Sequence, residues 1–464
     1  MKKRATILTL VLSLAASCGR FPGTRVKPVS SDAPDLERPI DTSREALVPV
    51  VGPDLPEYAD AATSNDPTAG VAITNTREVA TSIGLLALQQ GGFLGQTQRI
   101  AILDNGFSGL KNSLASARLA SGTIYVPGRT GSASVDTAHG TKLAELVHAL
   151  APDAEILLIN SNGYSNFVRA IDEAIARKAT MVLYAQVWEY GGNFDGGGFI
   201  NREVNRATDA GILWINAAGN YGLATWEGTL QAIDGTTAFV TPARESQYIR
   251  FHLPSGSNAK MVLTWDDFQD DKNYRTKEDF DLVIEDAGHR EVAASRLIQD
   301  GAVHGFQGPD EKYSAHAREL IRAQLPQGAY FARIEVKNSA NLNRLAKFRF
   351  SVDAFGAQIL DSRSANSIMI PGDNPQVVTV GAWDTAISAT GTGVPWEKPN
   401  LLAPSRINFA DGQSVMGSSS AAAITAGALA VWQSRFGRLN HTQFQTQLLN
   451  GHFTSPSTRQ LFLQ

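Results

Sequence analysis

Two patterns of hydrophobic and polar positions divide the chain. From about Asn75 onward, short apolar runs end in turn residues: "RIAILDNGF", "AEILLINSN", "TMVLYAQVW" and "ILWINAAGN". Near-continuous runs of this length predict strands buried on both faces. Between them lie segments with helical spacing. "NFVRAIDEAIARKA" places Phe167, Ala170, Ile171, Ala174 and Ile175 on one face, "GGFINREVNRATDAG" reads as a second helix, and "TSIGLLALQQGG" as a short one stopped by glycines. Strands alternating with helices predict a parallel sheet covered by helices, with catalytic groups at the carboxyl ends of the strands. After about Leu230 the period changes to two. "QYIRFHLP", "KMVLTWDD", "FDLVIED", "AYFARIEV" and "KFRFSVDAF" alternate, with Ile249, Phe251 and Leu253 on one face and Met261, Leu263 and Trp265 on another. Short alternating strands predict an antiparallel sandwich. Near Asn366 the first pattern resumes with "PQVVTVGAWD" and "PNLLAPS". It runs into "AAAITAGALAVWQ", small or apolar all round and so a buried helix, and a last helix, "NHTQFQTQLLN", follows.

The expected fold class is therefore α/β: a parallel sheet with helices on both faces, interrupted by an antiparallel sandwich. The two catalytic-domain pieces are 76–229 and 366–464, and the inserted sandwich is 230–365. Residues 19–75 are rich in Pro, Asp, Ser and Thr, without useful periodicity, and read as a flexible tether. Before them, Lys2, Lys3 and Arg4 precede an apolar run, Ala5 to Ala16, too short to span a bilayer, and Ala15, Ala16 and Ser17 lead into Cys18. This resembles a bacterial lipoprotein signal over residues 1–18, which implies lipidation of Cys18 and a cell-envelope location, the outer membrane in a two-membrane cell. Ordinary secretion is the alternative. Cys18 is the single cysteine, so no intramolecular disulfide stabilises the fold. With 464 residues, 43% hydrophobic, and a net charge of −4, the chain is globular in composition and carries no electrostatic footprint for nucleic acid.

Within "MGSSSAAAITAG", serines open a buried helix. They serve either as caps or as a nucleophile at a helix N-terminus, where N–H groups and the helix dipole favour negative charge. Three further pieces bear on the choice. "AILDNGFSG" puts Asp104 at the end of a strand, "DTAHGTKL" puts His139 at the start of a helix, and "AAGN" puts Asn220 after a strand. A serine hydroxyl attacks a carbonyl only with a base in reach, a buried carboxylate fixes that base's tautomer, and amide donors stabilise the oxyanion.

The order Asp, His, Asn, Ser, with these flanks, resembles the subtilisin-like serine protease family, over about 235 residues on both sides of the insertion. In subtilisin the Asp-to-His and His-to-Ser spacings are roughly 32 and roughly 157 residues. Here His139 lies 35 residues after Asp104, and the longer His139-to-Ser419 interval contains the β segment. The family's Gly-Thr-Ser-Met-Ala-Ala-Pro run, matched in place, makes Gly417 the glycine, Ser418 the threonine, Ser419 the nucleophile and Ala421 and Ala422 the paired alanines. Ser420 replaces Met and Ala423 replaces Pro. "PNLLAPS" and "VVTVGA" resemble the family's upstream segments.

The resemblance implies a serine endopeptidase acting on polypeptide. Ser419 is the nucleophile, His139 the general base, Asp104 its orienter, and Asn220 with the Ser419 N–H the oxyanion hole. It also implies a substrate-binding strand at Ala185, Gln186 and Val187, facing Ala217, Ala218 and Gly219. The family strand reads Ser-Leu-Gly, so Val187 narrows the route, and Trp188, Glu189 and Tyr190 add bulk and charge. No stretch resembles the prodomain of many relatives. These departures motivate the alternative function, a non-catalytic binding protein on the same scaffold. An esterase is disfavoured because no Gly-x-Ser-x-Gly elbow follows a strand. The insertion resembles the jelly-roll or pre-peptidase-type sandwiches of large subtilases. Its acidic run, "WDDFQDDKNYRTKEDFDL", holds Asp266, Asp267, Asp270, Asp271, Glu278, Asp279 and Asp281. It matches no EF-hand spacing and reads as a solvated loop. Catalysis needs no cofactor, and a structural Ca²⁺ is unassigned.

Overall fold

The structure, a computed structural model, describes residues 68–128, 137–233, 236–241, 244–268, 276–302, 304, 312–337, 346–360, 365–391, 397–454 and 459–463, with side chains described outside 230–245. Cys18, the signal-like segment and nearly all of the predicted tether lie outside the described residues. Among the described residues, no helix is long and apolar enough to cross a membrane.

Every strand read from an apolar run takes its place in one seven-stranded sheet. Its order is Leu401–Ala403, Val378–Ala382, Leu213–Ala217, Met181–Tyr184, Arg99–Asp104, Glu155–Asn160, Ile124–Val126, and all its pairings are parallel. The edge strand Ile124–Val126 was not anticipated; three residues are too few to show a period. Successive side chains of a strand point to opposite faces, and the core divides accordingly. Ile100 and Ile102 pack with the helices His139–Leu150 and Ser418–Phe436, whereas Ala101 and Leu103 pack with Tyr164–Ala176 and Phe199–Asp209. The helix Ser418–Phe436 is buried from Ser418 through Gln433, as its lack of a polar face requires.

The insertion forms two antiparallel sheets, one of six strands and one of five. The six-stranded sheet begins at Thr225–Ile233, and the five-stranded sheet ends at Gln358–Ile359. Their inner faces meet through aromatic pairs. Phe251 lies 5.8 Å from Phe350, Trp265 5.1 Å from Phe280, and Phe280 5.0 Å from Phe348. The apolar core of this sandwich is continuous with one face of the parallel sheet. A single cluster runs from Phe167 and Trp188 through Phe199 and Phe268 to Met261 and Phe350.

One carboxyl is enclosed in the sandwich. Glu319 is fully buried and accepts hydrogen bonds from Gln299 Nε2 (2.8 Å) and the Leu297 N–H (3.1 Å). Burial, which disfavours the charged form, pushes its pKa up to about 8. The folded protein thus holds a proton that the unfolded chain releases near its ordinary value of 4.5. Stability contributed by the neutral group is complete below that value and lost as pH rises through about 8. The Tm of the Glu319→Gln variant should therefore fall less between pH 5 and pH 9 than that of the wild type. Parallel curves from thermal denaturation would show that Glu319 does not titrate in this window.

Candidate active site

Asp104 ends its strand fully buried, and its Oδ1 accepts the Gly106 N–H at 3.2 Å. His139 is the first residue of the helix His139–Leu150, and its Nδ1 lies 2.6 Å from Asp104 Oδ2. The approach needs the next residue to be glycine. A Cβ on Gly140 would lie 2.5 Å from Phe107 Cε1 and 2.7 Å from Asp104 Cβ. Gly140 N–H also donates to Gly106 O at 3.1 Å, seating the helix on the turn after the Asp104 strand.

Ser419 is the second residue of the helix Ser418–Phe436, fully buried, with Oγ 3.3 Å from Ala185 O. The helix therefore starts against the stretch that follows the strand Met181–Tyr184. Asn220 sits beside it. Its Oδ1 accepts the Ser418 N–H at 3.0 Å and the Ser418 hydroxyl at 3.1 Å, while Ser418 Oγ accepts the Gly219 N–H at 3.0 Å. These two bonds fix the orientation of the carboxamide at the start of the helix. Gly417 makes room, since a Cβ there would stand 3.0 Å from Asn220 Nδ2. Gly219 has φ +96°, a conformation that favours glycine.

The residues expected to face the substrate are adjacent to this group. Ala217 ends the strand Leu213–Ala217, and the Ala218 N–H donates to Val380 O at 2.8 Å. A Cβ on Gly219 would lie 3.5 Å from Val187 Cγ1 and 3.7 Å from Met369 Cγ, so both side chains pack close beside Gly219. Gln186, expected to line the substrate strand, turns its side chain inward. Its Nε2 stands 3.4 Å from Asp104 Oδ2 and 3.3 Å from His139 Nδ1, and its Oε1 accepts from Asn105 Nδ2 at 3.3 Å. Sequence reasoning gave Ser418 no role beyond its place in the motif and missed Met369 altogether. The hydroxyl of Ser418, in the place of the family's threonine, was the available signal. Met369 carried none.

The acidic run has its own partners. Asp266 accepts the Lys347 N–H at 3.0 Å, Asp267 accepts the Thr276 hydroxyl, and Asp281 pairs with Lys337 at 2.8 Å. Among the described residues, no group of three or more His, Cys, Asp or Glu side chains is placed to hold a metal ion. Asp270 and Asp271 lie outside the described residues.

No family model matches the chain. Among curated proteins, it is 27% identical over 213 residues to an alkaline elastase of Bacillus sp. strain YaB, covering 42% of this chain and 54% of that protein. It is 26% identical over 163 residues to a thermostable alkaline protease of Halalkalibacterium halodurans, covering 32% and 44%. The chain thus spans about half the length of the curated relatives it matches. Among solved structures, the CspB protease of Clostridium perfringens superposes with a TM-score of 0.52 at 13% identity, over 83% of this chain and 97% of that one, a likeness of fold. The chain is thus similar in sequence to two alkaline proteases and similar in fold to a solved protease, with its parallel sheet interrupted by antiparallel ones.

Proposed function

We propose that the chain is a serine endopeptidase that cleaves polypeptides at Ser419 and is held at the cell envelope through a lipid on Cys18. The observation that carries the catalytic part is the buried Asp104–His139 pair, 2.6 Å apart, in a fold that starts the Ser419 helix against the wall carrying Gln186. In this reading His139 Nε2 takes the Ser419 proton as Oγ bonds to the scissile carbonyl carbon. Asp104, accepting the Nδ1–H, fixes the tautomer and stabilises the imidazolium. The carbonyl π electrons become the oxyanion, which the Asn220 amino group and the Ser419 N–H stabilise. The oxyanion electrons then re-form the carbonyl as the C–N bond breaks, His139 gives the proton to the leaving amine, and water repeats the sequence on the acyl-enzyme.

The anchor rests on the signal-like run before Cys18. One experiment addresses both parts: treatment of cells with a fluorophosphonate, fractionation, and mapping of the adduct. Labelling at Ser419 in the membrane fraction, moving to the soluble fraction in Cys18→Ala, is expected. A folded protein that takes no label would instead be the binding protein considered from the sequence, and label that stays with the membrane after Cys18→Ala would remove the lipid anchor.

A further inference from the structure

Val187 is followed by Trp188, Glu189 and Tyr190, and between the two aromatic residues the Glu189 carboxylate is buried. Its Oε1 lies 2.5 Å from Lys260 Nζ, on the sandwich strand Ser257–Trp265, and accepts a 2.5 Å hydrogen bond from the Tyr221 hydroxyl. Tyr221 directly follows Asn220. One carboxylate therefore joins the wall carrying Ala185 to Val187, the loop carrying Asn220, and the inserted sandwich. We propose that Glu189 is a positioning residue through which the sandwich holds the two walls of the catalytic cleft at a fixed separation.

Other contacts bear on the same segment. Trp188 and Ile370 exchange backbone hydrogen bonds of 2.7 and 3.2 Å. The Arg318 guanidinium lies 4.8 Å from the centre of the Tyr190 ring, and that of Arg349 3.6 Å from the centre of the Phe194 ring. Asn193 Nδ2 donates to Phe268 O at 2.8 Å, and its Oδ1 accepts the Phe268 N–H at 2.9 Å. The sandwich thus grips residues 190–194 through Arg318, Arg349 and Phe268, but among these contacts only the Glu189 carboxylate reaches across to the Asn220 loop.

Packing alone does not require such a group. A buried ion pair usually stabilises a fold no better than apolar side chains of the same volume, whereas a charge that ties its own segment to partners on two others fixes the spacing of all three. Lys260 is held in turn by Asp353, 3.4 Å away. An extended peptide would lie between the two walls, so their separation sets how well the scissile carbonyl meets Ser419 and Asn220. A misplacement of about 1 Å can cost about 10²-fold in rate.

The proposal rests on the reading of Ser419 as a nucleophile, and its test separates the two. Peptide hydrolysis depends on both walls. Labelling by a small fluorophosphonate depends on Asp104, His139, Ser419 and the oxyanion donors, but not on an extended chain held between the walls. Glu189→Gln keeps the shape and can still accept from Tyr221, but loses the charge that holds Lys260. It should lower kcat/KM for a peptide roughly 10- to 100-fold while changing the labelling rate less than about twofold. Glu189→Gln/Lys260→Met should be no worse than Glu189→Gln, because both changes remove one interaction. Tyr221→Phe, which leaves no charge unpaired, should show the same split at a smaller size and serves if Glu189→Gln does not fold. Equal losses of hydrolysis and labelling, additive losses in the double variant, or unchanged hydrolysis would each overturn the proposal. A wild-type protein that takes no label would remove the protease reading, and the proposal with it.

Discussion

Ser419→Ala is expected to lower peptide turnover by on the order of 10⁶-fold, the cost of removing the nucleophile in subtilisin itself, and to abolish fluorophosphonate labelling. The expectation follows from place as well as type. Ser419 is buried at the start of the helix, its Oγ directed at Ala185 O, and no other hydroxyl in the motif shares that direction. The Ser418 hydroxyl is occupied with Asn220 and Gly219. Ser418→Ala should therefore cost only about 30-fold, the worth of two neutral hydrogen bonds near 1 kcal/mol each, since the Ser418 N–H still holds Asn220 Oδ1 at 3.0 Å. Turnover of both variants, measured alongside their thermal unfolding, checks the assignment. Equal losses in the two, with folding intact, would place the nucleophile elsewhere.

The parallel sheet was legible because its strands are buried on both sides. "IAIL" and "MVLY" must be apolar at every position, and the chain then needs turn residues to leave the sheet, which puts Asp104 at, and Asn220 just beyond, the carboxyl end of a strand. Gly140 and Gly417 were legible only as motif letters; the structure shows that each is the residue whose missing Cβ lets Asp104 meet His139 or Asn220 meet the Ser418 turn. Gln186 was not legible. Its neighbours read as a substrate strand, and nothing in the alternation tells that this side chain turns back to Asp104. Glu189 and Lys260 lie far apart in the chain, one in the loop after a parallel strand and the other on an antiparallel strand, and each alone reads as a stray charge beside apolar residues. The sandwich showed its period of two but not its attachment. Tyr190, Phe194 and Phe268 look like ordinary core residues until the fold brings them into the shared cluster.

Asp104→Asn is expected to lower kcat by on the order of 10⁴-fold with little change in KM, because the residue touches the base and not the substrate. The two oxygens of Asp104 have different partners: Oδ1 accepts the Gly106 N–H at 3.2 Å, and Oδ2 faces His139 Nδ1 at 2.6 Å. An asparagine supplies one acceptor and one amino group. If its oxygen keeps the Gly106 N–H, its amino group faces His139 Nδ1, which must then be the acceptor. The ring proton moves to Nε2, and the imidazole can no longer take the proton of Ser419. The reverse orientation sets the amino group against the Gly106 N–H, donor to donor in a buried site, and leaves that N–H without its acceptor. The first orientation therefore prevails, and with it the inactive tautomer. Labelling by a fluorophosphonate should slow in step with hydrolysis, since both need the same proton transfer, while the folded structure changes little because the two side chains have nearly the same shape. Retention of activity within about tenfold of the wild type would mean that His139 is oriented by some other group, Gln186 being the nearest candidate at 3.3 Å from Nδ1.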